Sequence, residues 1–221
     1  MEREPMFGKA KQIAAGNVTE KPAKSAITAD YDWKAYYKGN FIQKWWKRRA
    51  ASLVLEMAGE NNPVVDLGCG SSPILSLVKA TEKVGVDAHA GKIGLMKEKD
   101  STSTYMNALA EDSKLADNYF GTTLCIEVIE HHENPHKLMQ EIARITKPGG
   151  TVIIATPDFS SMTWNVIEVL YGVLMRSGYH DEHNSKFTES SVRALAAAYG
   201  LRLEETRKVL GADMIMRFRK E

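Results

Sequence analysis

Residues 63–70 read Pro63-Val64-Val65-Asp66-Leu67-Gly68-Cys69-Gly70. An apolar run stopped by a glycine predicts a short strand buried on both faces, as in a parallel sheet. The two glycines predict a strand-to-helix turn whose backbone can approach a ligand with no Cβ in the way. Pro73 opens the next helix, expected over 73–79, at a position where its missing N–H is not needed. The free N–H groups of that helix start complete an anchoring loop.

Outward from this stretch the strand, turn and helix order repeats. Lys83 to Asp87 reads as a second strand, followed by a helix to about Lys99. Thr104 to Met106 is a weak third strand and Thr122 to Glu127 a fourth. A helix over 134–146 is closed by Lys147-Pro148-Gly149-Gly150, and Thr151 to Thr156 forms a fifth strand. A helix over 189–199 ends at Gly200. The runs 202–210 and 212–219, linked by Gly211-Ala212, predict a terminal hairpin. Strands alternating with helices predict an α/β fold with a mostly parallel sheet covered on both faces, and the hairpin adds an antiparallel member. In such sheets ligands bind beyond the carboxyl ends of the strands. That places function at residues 66–73, 87–89, 107–111, 125–132 and 156–160.

Asp87 closes the second strand, 21 residues after Asp66, where an acid grips ribose hydroxyls. A dinucleotide fingerprint needs a third glycine, but Pro73 stands there, and no Gly-Lys-Ser/Thr phosphate loop occurs. Asp66, two residues before the first glycine, can hold a cation such as an ammonium. The residues therefore describe a nucleoside with a cationic amino-acid tail and no phosphate.

With Asp-Leu-Gly-Cys-Gly, the acid ending the next strand, and Lys-Pro-Gly-Gly before the fifth strand, residues 41–220 resemble a class I S-adenosylmethionine-dependent methyltransferase. The resemblance implies a Rossmann-like three-layer sandwich around a seven-stranded sheet whose last strand is antiparallel. It also implies S-adenosylmethionine as cofactor. Gly68, Cys69 and Gly70, with Asp66, would line its methionine portion, and Asp87 with Ala88 its ribose. Asn107-Ala108 matches the family's Asp-Ala near adenine, with the charge lost. Cys125, Ile126 and Glu127 would pass beside the methionine part.

Glu127-Val128-Ile129-Glu130-His131-His132 resembles the Glu-x-x-Glu-His of ubiquinone-pathway O-methyltransferases and the metal-binding segment of small-RNA 2′-O-methyltransferases. That likeness implies a divalent cation at Glu127, Glu130 and His131. The same pattern in metal-free small-molecule methyltransferases shapes the cofactor site and starts a helix, and both readings stand at this point. His131 is the candidate general base, because an imidazole titrates near neutrality.

Residues 158–188 separate the fifth strand from the next helix by far more than an ordinary connection and predict a substrate lid. Within it, Tyr179-His180-Asp181-Glu182-His183-Asn184 could contact substrate or form a plain polar loop. At the other end, Trp33, Tyr37, Phe41 and Trp45 recur every four residues, one face of a helix that Gly39-Asn40 divides. Between Trp33 and Leu55 stand six basic residues (Lys34, Lys38, Lys44, Lys47, Arg48, Arg49) and no acid. A helical cap over 31–59 could pack on the sheet, close over the cofactor, or touch anionic lipid or RNA. Residues 1–30 show no apolar period and predict a flexible tail, so the catalytic domain is expected over 31–221.

Composition narrows the partners. A net charge of +1 offers no global field for nucleic acid. Two cysteines, Cys69 and Cys125, exclude a disulfide scaffold and suit a reducing compartment. No apolar run reaches the length of a transmembrane span, and the first residues lack a signal peptide's apolar stretch, so a cytoplasmic chain is expected. The leading expectation is methyl transfer to an oxygen or nitrogen of a small-molecule or lipid-like acceptor. Metal-assisted RNA 2′-O-methylation and a non-catalytic, cofactor-binding partner subunit are the alternatives.

Overall fold

The carboxyl ends of five parallel strands meet along one edge of a sheet, where an antiparallel strand begins, and that edge organises the molecule. The structure is a computed structural model, which describes residues 28–60, 62–164 and 185–221. Helices α1 (Tyr31–Tyr37) and α2 (Phe41–Ala58) come first. Then follow β1 (Val64–Leu67), α3 (Ile74–Leu77), β2 (Lys83–Asp87), α4 (Ala90–Lys99) and β3 (Thr104–Asn107). β4 (Phe120–Ile126), α5 (Pro135–Ile145), β5 (Thr146–Pro157), α6 (Glu189–Ala197), β6 (Leu201–Val209) and β7 (Asp213–Lys220) complete the order.

The seven strands form one sheet in the order β3-β2-β1-β4-β5-β7-β6. The pairs among β1 to β5 are parallel, whereas β7 runs antiparallel to both β5 and β6. The expected antiparallel last strand is present. Strand order reverses between β1 and β4, the switch point at which a doubly wound sheet opens a ligand crevice.

Two-residue alternation along the strands divides the core into two faces. On one, Val65, Leu67, Cys125 and Ile154 meet Leu138, Met139 and Ile142 of α5 and Val192 and Ala196 of α6. On the other, Val64, Leu124, Ile153 and Ile215 meet Ala51, Val54 and Met57 of α2, Leu75 of α3 and Met96 of α4. This is the three-layer sandwich. Cys69 and Cys125 are free and buried on opposite faces.

Three local expectations need correction. The aromatic residues spaced by four divide at Gly39-Asn40 as expected, but they are not the face through which the helical cap packs on the sheet. The Asn40 side chain accepts a hydrogen bond from the Gln43 N–H and caps α2, so a second helix starts there. Trp33 and Tyr37 stack 4.6 Å apart in α1, whereas Phe41 and Trp45 stay 80% and 42% exposed. It is Ala51, Leu53, Val54, Met57 and Ala58 that α2 buries. Lys147-Pro148-Gly149-Gly150 is not a separate turn. β5 already pairs at Thr146 opposite Phe120, and a bulge absorbs these residues before Thr151 pairs with Thr122. Finally, the helix expected over 73–79 is only the single turn of α3, because Val78 turns extended.

Candidate functional site

The glycine turn after β1 is tied to β2. Gly68 N–H and Cys69 N–H both donate to the Val86 carbonyl, at 2.7 and 3.0 Å. Gly70 N–H donates to Asp87 Oδ2 at 2.9 Å, and His89 N–H to Asp87 Oδ1 at 2.8 Å. Asp87 thus clamps the turns after β1 and β2, and each of its oxygens keeps a lone pair for a further donor. Gly68 and Gly70 have φ of +75° and +54°. A Cβ on Gly68 would lie 2.4 Å from Val128 Cγ2, so both backbone angle and space require glycine there. The Asn107 amide donates to the Asp87 and Ala88 carbonyls, which joins the end of β3, with Ala108 behind it, to the same crevice.

Asp66 lies beneath this turn. It is 2% exposed, and its Oδ1 is buried with no hydrogen-bond partner. Burial, and then repulsion from Asp87, push its carboxyl up to about 7. A buried carboxylate oxygen without a donor, beside a glycine cradle, suits a ligand that brings its own cation.

Next along the edge, Glu127 follows β4 with φ of +56°, uncommon for a side-chain-bearing residue and frequent at functional sites. Its side chain keeps an exposed surface, yet its carboxyl is raised above the usual range by desolvation among the surrounding groups, then by Asp213 and Glu130, against an opposing pull from Lys47. Asp213, at the start of β7, is raised to about 6 by burial and accepts a 2.6 Å hydrogen bond from Trp46 Nε1. Burial pulls Lys47 down, but Asp32, Glu127, Tyr31 and Asp213 outweigh it and leave the ammonium raised. Lys47 Nζ lies 3.6 Å from Asp32 Oδ1, and the Asp32 N–H donates to Ser71 Oγ of the glycine turn at 3.3 Å. The cap is therefore bonded to the cofactor-side loop at one end and to β7 at the other.

Several expected residues land elsewhere. The side chain of Cys125 is fully buried in the core with Val65 and Leu67, so only its backbone borders the crevice. Cys69 is likewise packed, and burial raises both thiols. Glu130 does not share an open site with Glu127. It is fully buried, and its Oε2 accepts a hydrogen bond from Thr156 Oγ1 at 3.0 Å. Among the described residues no group of three His, Cys, Asp or Glu side chains could hold a metal ion. His131 closes a 3₁₀ turn over Ile129–His131, with its side chain 41% exposed and Nε2 3.9 Å from Glu130 Oε1.

The flanks of the expected lid sit at the same rim: Ser185 N–H donates to the Glu130 carbonyl, and Phe159 N–H to the Phe187 carbonyl. Tyr179-His180-Asp181-Glu182-His183-Asn184 lies outside the described residues, as does most of the 1–30 tail. Sequence reasoning missed Asp32, Trp46 and Asp213, and covered Ser71 only through the 66–73 stretch. Trp46 and Lys47 stood inside a stretch already marked by its aromatic and basic content, whereas Asp213 carried no signal beyond its place after the hairpin turn.

A family model described as a methyltransferase domain matches residues 42–206. The ubiquinone biosynthesis O-methyltransferase of Aeromonas salmonicida is 25% identical over 167 residues, 71% of this chain and 69% of that protein. The mitochondrial ubiquinone biosynthesis O-methyltransferase of Dictyostelium discoideum is 26% identical over 130 residues, 51% of this chain but only 40% of its own length. The chain thus spans between 40% and 69% of these two relatives. The magnesium protoporphyrin IX methyltransferase of Synechocystis PCC 6803, solved with bound SAH, shares the fold at a TM-score of 0.63 and 15% identity, over 86% of this chain and 92% of that one.

Proposed function

The chain belongs to the class I S-adenosylmethionine-dependent methyltransferases, and from that membership we propose that it methylates an oxygen of a small-molecule acceptor, lipid-like acceptors included. The observation that carries the site assignment is the orphaned, fully enclosed Asp66 Oδ1 beneath a glycine turn that Asp87 clamps. When bound, S-adenosylmethionine supplies a methyl group on a sulfonium leaving group.

This chain's residues have separate tasks. Asp66 takes the ammonium of the methionine portion. Gly68, Cys69 and Gly70 line that portion with backbone alone. Asp87, with Ala88, receives the ribose hydroxyls through its remaining lone pairs, and Asn107 and Ala108 border the adenine. Cys125 and Ile126 border the methionine part through backbone. Asp213 and Asp32 stand against the single charge of Lys47, and the raised Glu127 carboxyl ionises more readily once a cation lies beside it, which favours a cationic centre at that point of the crevice. An in-line transfer then depends on alignment and exclusion of water.

A hydroxyl acceptor must also lose its proton. His131, at the rim and open to solvent, accepts it. Oxygen is favoured over nitrogen by the names of the relatives, which are O-methyltransferases. The test is production of S-adenosylhomocysteine over a panel of small hydroxyl and amine acceptors. Hydroxyl acceptors should turn over, and His131→Ala should lower kcat by about 100-fold or more with cofactor affinity unchanged. Turnover of amines alone, indifferent to His131, would overturn the assignment.

A further inference from the structure

The face of α2 that the core does not use is unusual for a soluble surface. Phe41 is 80% exposed, Ile42 74%, Trp45 42%, and Tyr37 of α1 40%. Helical spacing puts Phe41 and Trp45 on one side of α2, with Arg48 and Arg49 one turn further and Ile42 adjoining. Lys34 and Lys47 are held by Asp30 and Asp32. No acidic residue stands between Trp33 and Leu55; Arg48 lies over the Tyr36 ring, and Arg49 is near enough to Glu56, just beyond the stretch, to lower its carboxyl. The patch is thus a protruding apolar tip ringed by cations.

We propose that this tip, Tyr37, Phe41, Ile42 and Trp45 with Lys38, Lys44, Arg48 and Arg49, docks the protein on an anionic lipid bilayer. A large aromatic and aliphatic group at a helix start, flanked by basic side chains, matches the headgroup boundary. There the apolar tip enters the acyl region and the cations meet lipid phosphates. Charge selects this occupant over two others. A second copy of the chain would bring the same cations against these ones across a two-fold contact. RNA would use the cations and stack on the aromatic rings but has no use for an exposed aliphatic Ile42.

The position gives the contact a purpose. Trp46 and Lys47, between the tip and the buried half of α2, bond to Asp213 and Asp32 at the crevice. The docked face therefore adjoins the crevice, and a lipid-like acceptor has a short path from bilayer to site. The docking itself does not depend on the acceptor's identity, and cofactor affinity is read separately from vesicle binding.

The experiment is co-sedimentation of the full chain with vesicles of phosphatidylcholine alone, and of equal parts phosphatidylcholine and phosphatidylglycerol, at low and high salt. Cofactor titration serves as the control for folding. The wild type should bind the anionic vesicles at least about tenfold better than the neutral ones, with the preference falling in high salt. A Phe41→Ser, Ile42→Ser, Trp45→Ser variant and a Lys38→Ala, Arg48→Ala, Arg49→Ala variant should each lose that binding while keeping S-adenosylmethionine affinity within about twofold. Equal partition of wild type and apolar-tip variant would overturn the proposal. So would a wild-type dimer that the apolar-tip variant dissolves, or displacement from vesicles by RNA at lower concentration than by anionic lipid.

Discussion

Asp66 shows how a residue proposed to bind a ligand opposes the stability of the chain that carries it. Its carboxyl sits at about 7 in the folded protein against 3.8 for an ordinary aspartate. A folded value above the unfolded one means that Asp66 favours folding most below the unfolded value. That contribution is lost as pH rises through about 7, where an ionised carboxylate must stay buried. Asp66→Asn removes the charge and keeps the shape. At about pH 8 it should stabilise the protein by on the order of 3 kcal/mol in urea unfolding, and the gain should vanish near pH 4. The same substitution should weaken S-adenosylmethionine binding by at least about tenfold, because the ammonium loses its counter-charge. Wild-type affinity should fall in parallel as pH drops below about 7, since the ligand's cation needs Asp66 ionised. Calorimetric titration at several pH values checks this, and an affinity that rises on acidification would count against the Asp66 assignment. At Gly68 the constraint is steric. Gly68→Ala meets both a φ of +75° and Val128 at 2.4 Å. It should abolish measurable cofactor binding and cost about 2 kcal/mol or more of stability.

Between elements, single polar contacts fix how the layers meet. Trp46 Nε1 is the hydrogen-bond donor that joins α2 to the buried Asp213 of β7. Trp46→Phe keeps most of the ring and leaves Asp213 without that partner. A loss of about 1–2 kcal/mol is expected in chemical denaturation, together with a rise in the pH at which Asp213 titrates. On the opposite face, Glu141 of α5 is 6% exposed and accepts from the Ser113 N–H and hydroxyl as well as from Arg144, which also pairs with Asp117. Those bonds pin the connection between β3 and β4 against α5. They hold the Glu141 carboxyl below its ordinary value although burial acts the other way. Glu141→Ala should therefore cost roughly 3 kcal/mol, because Ser113 loses its acceptor and Arg144 keeps only Asp117 and the Leu115 carbonyl. Cofactor affinity should hold, since none of these groups borders the crevice.

Across the whole molecule, the site is a junction between a central sheet and a cap whose second helix is docked in the apolar core and whose first helix is tied to the crevice by polar contacts. β4 and β5 lie inside the sheet with both faces covered, whereas α1 buries only Ala35 completely. Amide exchange should consequently be slowest in β4 and β5, at the level of global unfolding, and much faster in α1. Adding S-adenosylmethionine should slow exchange in α1 more than in β6, because Asp32 links α1 to Ser71 and Lys47 beside the bound ligand. Equal slowing everywhere would mean that the ligand stabilises the fold without engaging the cap.

The local code of this sequence determined its strands, its glycine turns and the acids that end them. Buried parallel strands read as continuous apolar runs, and a positive φ beside a ligand leaves glycine as the residue of choice. Gly68, Gly70, Asp66 and Asp87 were therefore legible before any fold was known, as was the antiparallel hairpin around Gly211. Only the tertiary structure decided what lies against what. The spacing of Trp33, Tyr37, Phe41 and Trp45 predicted one helical face divided at Gly39-Asn40 and left open what that face meets; the docking of the far half of α2 leaves Tyr37, Phe41 and Trp45 exposed. Cys125 and Glu130 sit in a segment whose pattern marked them as functional, but their depth sends the Cys125 side chain into the core and Glu130 to Thr156. Asp213 reaches Trp46 across 167 positions of chain. Periodicity reports which face of an element is apolar. Which surface that face meets, and which distant charge ends beside it, is set by long-range packing that no local spacing encodes.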